Sequence, residues 1–363
     1  LERYRHKFNS IQMITTKVTA TVSTKGRFHT TFPLVLTSLA NQTLKPSRLI
    51  IYDDNDEFED PRKNDVLNNI LSAMLHSGIQ WYWEPGARIG QVANHERARS
   101  TCDTTYLWRI DDDNILLPNT LEVMYDYISV NPKVGAIGPS IVDPKGAMEP
   151  SILASNKMED IFLGMNVQWA FYPKGIRAKE VEHLQGSTFM YRVAAAKHGY
   201  EMTLSRKGHR EETIFTYEMY RAGWKLVALL GLTTWHYHFS SGGIRSDQND
   251  MTHNDEVIFR NKLLEWGIKI TNYRFYYLDS GRGDHYAFKH LMPELFSRYR
   301  DCKLVIACCY PDTFWDIRDE RIILCSLTEG APFVNKDAHN AYKYMFDNNW
   351  KGSVTDAYRK LHL

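Results

Sequence analysis

The sequence predicts an α/β protein: a mostly parallel central sheet flanked by helices, with a smaller α/β unit after it. Three observations predict this. β-rich runs alternate with helix-length amphipathic segments over residues 17–139, two of those runs close on clustered aspartates, and the alternation lapses before restarting near residue 268. Strands separated by helices of this length require right-handed crossovers, and so parallel neighbours.

Residues 17–23 are rich in Val and Thr and read as a strand, and Thr24-Lys25-Gly26-Arg27 as the turn that ends it. Phe32, Val35, Leu36 and Leu39 form one stripe of a helix over 28–41. Residues 49–52 make a short buried strand that ends in Asp53-Asp54. Val66, Leu67, Ile70, Leu71 and Met74 have helical spacing within 63–76. Residues 79–83 read as a third strand, 91–102 as a helix, and 106–111 as a fourth strand closing on Asp111-Asp112-Asp113. A strand over 134–139 comes next. Residues 140–200 read as long loops with short strands, and 211–222 as a helix stopped by Gly223. The last third holds strands over 274–278, 303–307 and 321–325, with a Gly-rich turn at 280–284. Helices are expected over 286–299, 337–348 and 353–361. The division is then an amino-terminal extension (1–16), a large α/β domain (17–268) and a small accessory α/β domain (269–363).

At 363 residues with 43% apolar and 24% charged positions, the composition is that of an ordinary globular chain. A formal net charge of +1 gives no global pull toward nucleic acid, so nucleic-acid binding would need a local basic patch. The five cysteines (Cys102, Cys302, Cys308, Cys309 and Cys325) are odd in number and lack metal-type spacing, as expected of free buried thiols in a reducing compartment. No apolar run approaches the roughly 18–20 residues of a membrane helix. The basic start, residues 1–7, lacks the apolar core of a signal peptide, and a cytoplasmic protein is expected.

The acidic strand ends carry the chemistry. Clustered Asp at the carboxyl edge of a parallel sheet presents hard oxygen ligands where open α/β sheets bind their ligands. Such oxygens suit Mg²⁺ or Mn²⁺ bridging a diphosphate. The competing reading is turn and cap chemistry, strongest for Asp53-Asp54-Asn55-Asp56. If the strand at 79–83 lies outside the pair, both clusters converge on one crevice. The first would then accept hydrogen bonds from a base or ribose, and the second would hold a metal on the phosphates.

In this order the motifs resemble an inverting glycosyltransferase of family 2 with the GT-A (Rossmann-like) fold, over roughly residues 17–250. Val22 to Arg27 resembles the family's first strand and nucleotide loop. Leu39-Ala40-Asn41-Gln42-Thr43, with Leu49 to Asp54 after it, is similar to its next segment. Residues 90–99 resemble the Asn- and Arg-bearing helix before the metal motif. Asp111-x-Asp113 occupies the DxD position, and Leu117-Pro118 and Leu121 match the residues usual downstream of that motif. Further on, Gly186-Ser187 and Met190-Tyr191-Arg192 resemble the acceptor-side strand, and Glu211-Glu212 opens a helix where the family has Glu-Asp.

The resemblance implies a carboxylate base at Glu212 or Glu211, nucleotide-sugar contacts at Thr24, Arg27, Asp53, Asp54, Arg97, Asp111, Asp112 and Arg245, and a metal held by Asp113, Asp111 and His236. Asp113 is the expected direct ligand, Asp111 a water-mediated or ribose contact, and Asp112 is expected to point away. The implied reaction is metal-dependent (Mn²⁺ or Mg²⁺) transfer of a hexose or related sugar from a nucleoside-diphosphate sugar, with a UDP-sugar favoured. The acceptor hydroxyl would belong to a glycan, a lipid-linked saccharide or a hydroxylated nucleic-acid base. Glu212 in place of Asp leaves a non-catalytic sugar- or nucleic-acid-binding module as the alternative. A haloacid-dehalogenase phosphatase would want its Asp pair on the first strand, and a nucleotidyltransferase a longer first loop. In the small unit, Leu278 to His285 loosely resembles the first strand, loop and helix of a GT-B heptosyltransferase-like lobe, but a tight turn in an accessory domain is the simpler reading.

Overall fold

The computed structural model describes residues 17–146, 149–239, 241–244 and 248–363. The expected extension at 1–16 and the candidate Arg245 lie outside these residues. The chain divides into two units, Leu1–Pro150 with Ala154–Ile268 and Ser151–Leu153 with Lys269–Leu363.

In the first unit β1 (Val18–Thr24), α1 (Phe32–Ala40), β2 (Arg48–Asp53), α2 (Asp65–His76), β3 (Gln80–Pro85), α3 (Gln91–Thr101) and β4 (Tyr106–Asp111) keep to the predicted alternation. Next come β5 (Asn114–Leu116), α4 (Thr120–Val130), β6 (Val134–Val142), β7 (Arg177–Val181), β8 (Thr188–Arg192), α5 (Glu211–Arg221), β9 (Lys225–His236) and α6 (Gln248–Glu265). The sheet order is β3-β2-β1-β4-β8-β6-β9-β5, with β7 also on β9. The first four strands are parallel. Beyond β4 the sheet is mixed: β8 runs against β4 and β6, β9 is parallel to β6, and β5 and β7 run against β9.

Local chemistry explains the boundaries. The expected helix at 28 begins at Phe32 because the Arg27 carbonyl already accepts the N–H groups of Thr30 and Phe32, closing a turn. Pro33 then suits the first turn of α1, where its missing N–H costs nothing. Asn64 caps α2, its side chain accepting from the N–H groups of Val66 and Leu67. Gln42, buried at 1% exposure, donates to the carbonyls of Ser38 and Leu117 and accepts from Leu121 N–H, pinning the end of α1 to the start of α4. The main core packs Val18, Ala20, Val22, Leu36, Leu49, Ile51, Trp108 and Ile110 with the flanking helices. α3 is different: Asn94 and His95 are buried with Val92 and Ala98, so this helix turns a partly polar face inward. α6 is not among the predicted elements, and of β9 only the end that carries His236 is; a continuous apolar run such as Leu226 to Leu230 has no period to mark it as strand.

The second unit is a parallel three-stranded sheet, β10 (Asn272–Leu278), β11 (Cys302–Cys308) and β12 (Ile322–Cys325), with β11 central. Its helices are α7 (Arg282–Lys289), α8 (Met292–Arg298), α9 (Leu327–Gly330), α10 (Ala341–Asp347) and α11 (Val354–His362). The helix expected over 286–299 is therefore two. Leu291 N–H closes a tight turn on Phe288, and Pro293 opens α8. The stretch expected at 337–348 splits likewise at Asn340, whose side chain caps α10. The five cysteines are free, with Cys308 and Cys325 buried; Cys309, expected to be buried, is exposed past the end of β11. Among the described residues no helix is long and apolar enough to cross a membrane.

Candidate active site

The register of the parallel strands builds the site. β1 sits between β2 and β4, with Thr24 beside Asp53 and Ser23 beside Asp111. β3 lies outside the pair, so both acidic strand ends meet at one carboxyl edge. They open into a cleft of about 630 Å³, open solvent included, lined among others by Thr24, Lys25, Arg27, Asp54, Asp112 and Asp113.

Within the first cluster the two aspartates differ. Asp53 spends one oxygen on the N–H and amide of Asn55 and the other on Trp83 Nε1 at 3.3 Å, which is turn chemistry. Asp54 lines the cleft, its Oδ1 accepting from Arg88 N–H at 2.6 Å and from Asn94 at 3.2 Å. Arg97 does not line the cleft. It donates to Pro85 and Glu84 at the end of β3, over the Tyr52 ring.

The second cluster surrounds Arg27, which is 6% exposed. Its Nη1 donates to Asp113 Oδ2 at 2.7 Å, and its Nε lies 3.3 Å from Asp112 Oδ1. Asp112, expected to point away, instead lines the cleft and accepts from Lys25 N–H at 3.3 Å. Burial pushes its carboxyl up to about 7, against the pull of Arg27 and with a further push from Asp113. Burial acts on Asp113 too, but His236 and Arg27 outweigh it and hold the group below the ordinary carboxylate value. The antiparallel β5–β9 ladder sets His236 opposite Asn114, with its Nε2 3.5 Å from Asp113 Oδ2. Burial works to lower the His236 pKa, and Asp113 more than offsets it.

The three-residue metal set expected from the sequence is not assembled. Asp111 turns to Arg109 Nη2 at 3.2 Å, and among the described residues no group of three or more His, Cys, Asp or Glu side chains is arranged to hold a metal. A divalent cation on a diphosphate takes only one or two protein ligands and fills its shell with phosphate and water. The convergent pair Asp113 and His236, one hard oxygen and one imidazole within an excess of buried carboxylate, fits that requirement.

The roof and far wall come from loops. Gly243 N–H donates to the Lys25 carbonyl, and a Cβ on Gly242 would sit 2.7 Å from the Gly26 carbonyl oxygen, so only glycine lets the two loops lie this close. Lys207 lines the cleft while its ammonium donates to Thr252 at 2.6 Å. Its loop is fixed by buried Asp255, which accepts from Ser205 N–H and Oγ and from His209 N–H.

The two candidate bases part company at the start of α5. Glu211 has no exposed surface; Oε1 meets Arg109 Nη2 at 2.6 Å and Gln91 Nε2 at 3.1 Å, and Oε2 meets His95 Nδ1 at 3.3 Å. Glu212, next along the helix, is partly exposed, and burial raises its pKa with Arg109 opposing. With no exposed surface and contacts on both oxygens, Glu211 is closed to an incoming acceptor, whereas Glu212 keeps part of its surface exposed. Lys25, Gln91, Lys207 and Arg109 were not among the sequence candidates. Lys25 and Gln91 fall inside motifs read from the sequence, and Arg109 leaves a signal of its own, a charge inside the apolar run Tyr106 to Ile110.

Residues 22–199 match the profile of glycosyl transferase family 2. No curated protein sequence matches the chain. Among solved structures, the chain is similar to GalNAc-T7 with UDP, GalNAc and Mn²⁺ (12% identity, 63% of this chain and 45% of that one, TM-score 0.45). It is also similar to the mannosyltransferase PcManGT from Pyrobaculum calidifontis in complex with GDP-Man and Mn²⁺ (12% identity, 69% and 64%, TM-score 0.44). A third is S. aureus TarS 1-349 in complex with UDP-GlcNAc (12% identity, 96% and 90%, TM-score 0.49). The chain spans less than half the length of the first of these and less than two thirds of the second.

Proposed function

We propose that this chain, a glycosyltransferase with a family 2 domain over residues 22–199, moves one sugar from a nucleoside-diphosphate sugar to an acceptor hydroxyl with inversion at the anomeric carbon. The observation that carries this reading is the convergence of two acidic strand ends on one cleft that also holds Lys25, Arg27 and Lys207. Asp54 and Thr24 face the nucleoside, while Arg27, Lys25 and Lys207 supply positive charge to the diphosphate. Asp113 and His236 would hold Mn²⁺ or Mg²⁺, which when bound offsets charge on the departing phosphates. Glu212 takes the acceptor proton as the acceptor oxygen bonds to the anomeric carbon. The bond to the phosphate oxygen breaks on the opposite face, its electron pair leaving with the nucleoside diphosphate. Residues 17–268 form the catalytic domain in this reading and 269–363 an accessory one. UDP-sugars are the favoured donors, and a glycan, a lipid-linked saccharide or a hydroxylated nucleic-acid base supplies the acceptor hydroxyl.

The test is a panel of UDP- and GDP-sugars, each with Mn²⁺ or with EDTA, read by nucleoside diphosphate release and thermal shift. One donor is expected to give metal-dependent release, and Asp113→Asn to abolish it. Undiminished metal-dependent turnover by Asp113→Asn would overturn the metal assignment, and no release from any donor would overturn the transferase reading in favour of a binding module.

A further inference from the structure

We propose that Arg109 is a positioning residue for transfer, its buried guanidinium tying the strand that carries the aspartate triplet to the first turn of the helix that carries Glu212. The inference rests on the transferase reading and extends it to a residue outside the cleft lining. Arg109 is 1% exposed, near the end of β4. One nitrogen, Nη2, meets Glu211 Oε1 of α5 at 2.6 Å and Asp111 Oδ1 of β4 at 3.2 Å. α3 adds Gln91 and His95 to the same Glu211 carboxylate, and the guanidinium lies over the Phe189 ring of β8 at 5.5 Å. Four elements of the first unit therefore meet around one ion pair.

Two physical points give the pair a task beyond stability. Removing both charges from water costs several kcal/mol per ion, and well-packed apolar residues often replace such a pair without loss. Stability alone is a poor reason to keep it. Meanwhile α5 begins without the usual device for fixing a helix start. Its N-cap position is Arg210 in the left-handed region at φ +71°, with no side-chain cap hydrogen bond. A non-glycine residue there is strained by about 1–2 kcal/mol, and its side chain caps none of the first-turn N–H groups. The Glu211–Arg109 contact fixes that turn from inside. Glu212 is the next residue, so the same contact fixes where its backbone starts and the direction in which its side chain leaves the helix. The acceptor base and the aspartates at the diphosphate are thereby held in one frame.

The experiment compares Arg109→Lys, Arg109→Met and Glu211→Gln in the full chain with the wild type. Readouts are donor KM, kcat, thermal shift with UDP and Mn²⁺, and amide hydrogen exchange over residues 211–214. The expected result is a kcat loss of about 100-fold in Arg109→Met, the scale of an ångström-sized misplacement, with donor KM and the UDP shift within about twofold of wild type. Exchange over 211–214 rises in the same variant, and Arg109→Lys recovers part of both. If Arg109→Met fails to fold, Arg109→Lys and Glu211→Gln carry the same comparison. Unchanged kcat and exchange would overturn the inference, and so would a kcat loss matched by an equal loss of UDP binding, the mark of a general structural role. A wild type inactive with every donor defeats the transferase reading instead, and unchanged exchange over 211–214 then still overturns the bridge.

Discussion

His183 makes the stability of the first unit depend on pH in a calculable way. It lies between β7 and β8 at 1% exposure, and neither ring nitrogen has a hydrogen-bond partner among the described residues. Burial, helped by the positive charge of Arg210, takes its pKa from 6.5 down to about 3. Below pH 6.5 the unfolded chain binds a proton at this site that the folded chain refuses until about pH 3. The contribution of His183 to stability is therefore intact above pH 6.5 and lost progressively as the pH falls through that window. At about 1.36 kcal/mol per pH unit, the loss at pH 5 is roughly 2 kcal/mol. The assay is urea unfolding of the wild type and of His183→Leu at pH 7 and pH 5, monitored by tryptophan fluorescence. Other titrating groups are common to both proteins and cancel in the double difference. The wild type is expected to lose about 2 kcal/mol more than His183→Leu between the two conditions. A double difference below about 0.5 kcal/mol, the scatter expected of independent sites, would refute the reasoning.

Two further substitutions test the scaffold of the cleft. Gly90 has φ +108°, and an added Cβ would lie 2.1 Å from the Arg206 carbonyl oxygen and 2.5 Å from its Cα. Backbone cannot swing aside, so Gly90→Ala is expected to cost about 2–4 kcal/mol in urea unfolding. The same change displaces the loop that bears Lys207, and calorimetry should find UDP affinity reduced about tenfold, the equivalent of 1.4 kcal/mol. Gln42→Leu strands the Leu121 N–H in the interior and takes the amide donor from the Ser38 carbonyl, while the Leu117 carbonyl keeps the N–H and hydroxyl of Thr120. It should cost about 2–4 kcal/mol in the same assay while kcat per folded molecule stays at the wild-type value.

Much of the site was legible because parallel β-structure converts local sequence into position. Once β1 lies between β2 and β4, Asp53-Asp54 and Asp111-Asp112-Asp113 must end at the same edge; β-rich composition and short apolar runs place those strands, and period-3.6 spacing places helices between them. The reading weakened where pattern is weak. β9 carries an apolar run with no alternation, and the helix expected over 286–299 breaks at a turn and a proline that helical spacing does not register. Arg97, which the resemblance implies as a nucleotide-sugar contact, sends its guanidinium to Pro85 and Glu84, because helical position does not decide which neighbour a long side chain reaches.

The sequence by itself determined the inventory: two acidic strand ends, a glutamate pair at a helix start, a histidine on a late strand, and an order of motifs resembling one family. Only the tertiary structure decided how each group is spent. It closed Asp53 into a turn and opened Asp54 to the cleft, brought Asp112 inward against Arg27, and paired Asp113 with His236. It also sealed Glu211 against Arg109, 102 positions earlier in the chain. The physical reason is range. Hydrophobic periodicity is written over a few consecutive residues, whereas a hydrogen bond near 3 Å between distant residues exists only after several packed elements have fixed its two ends together.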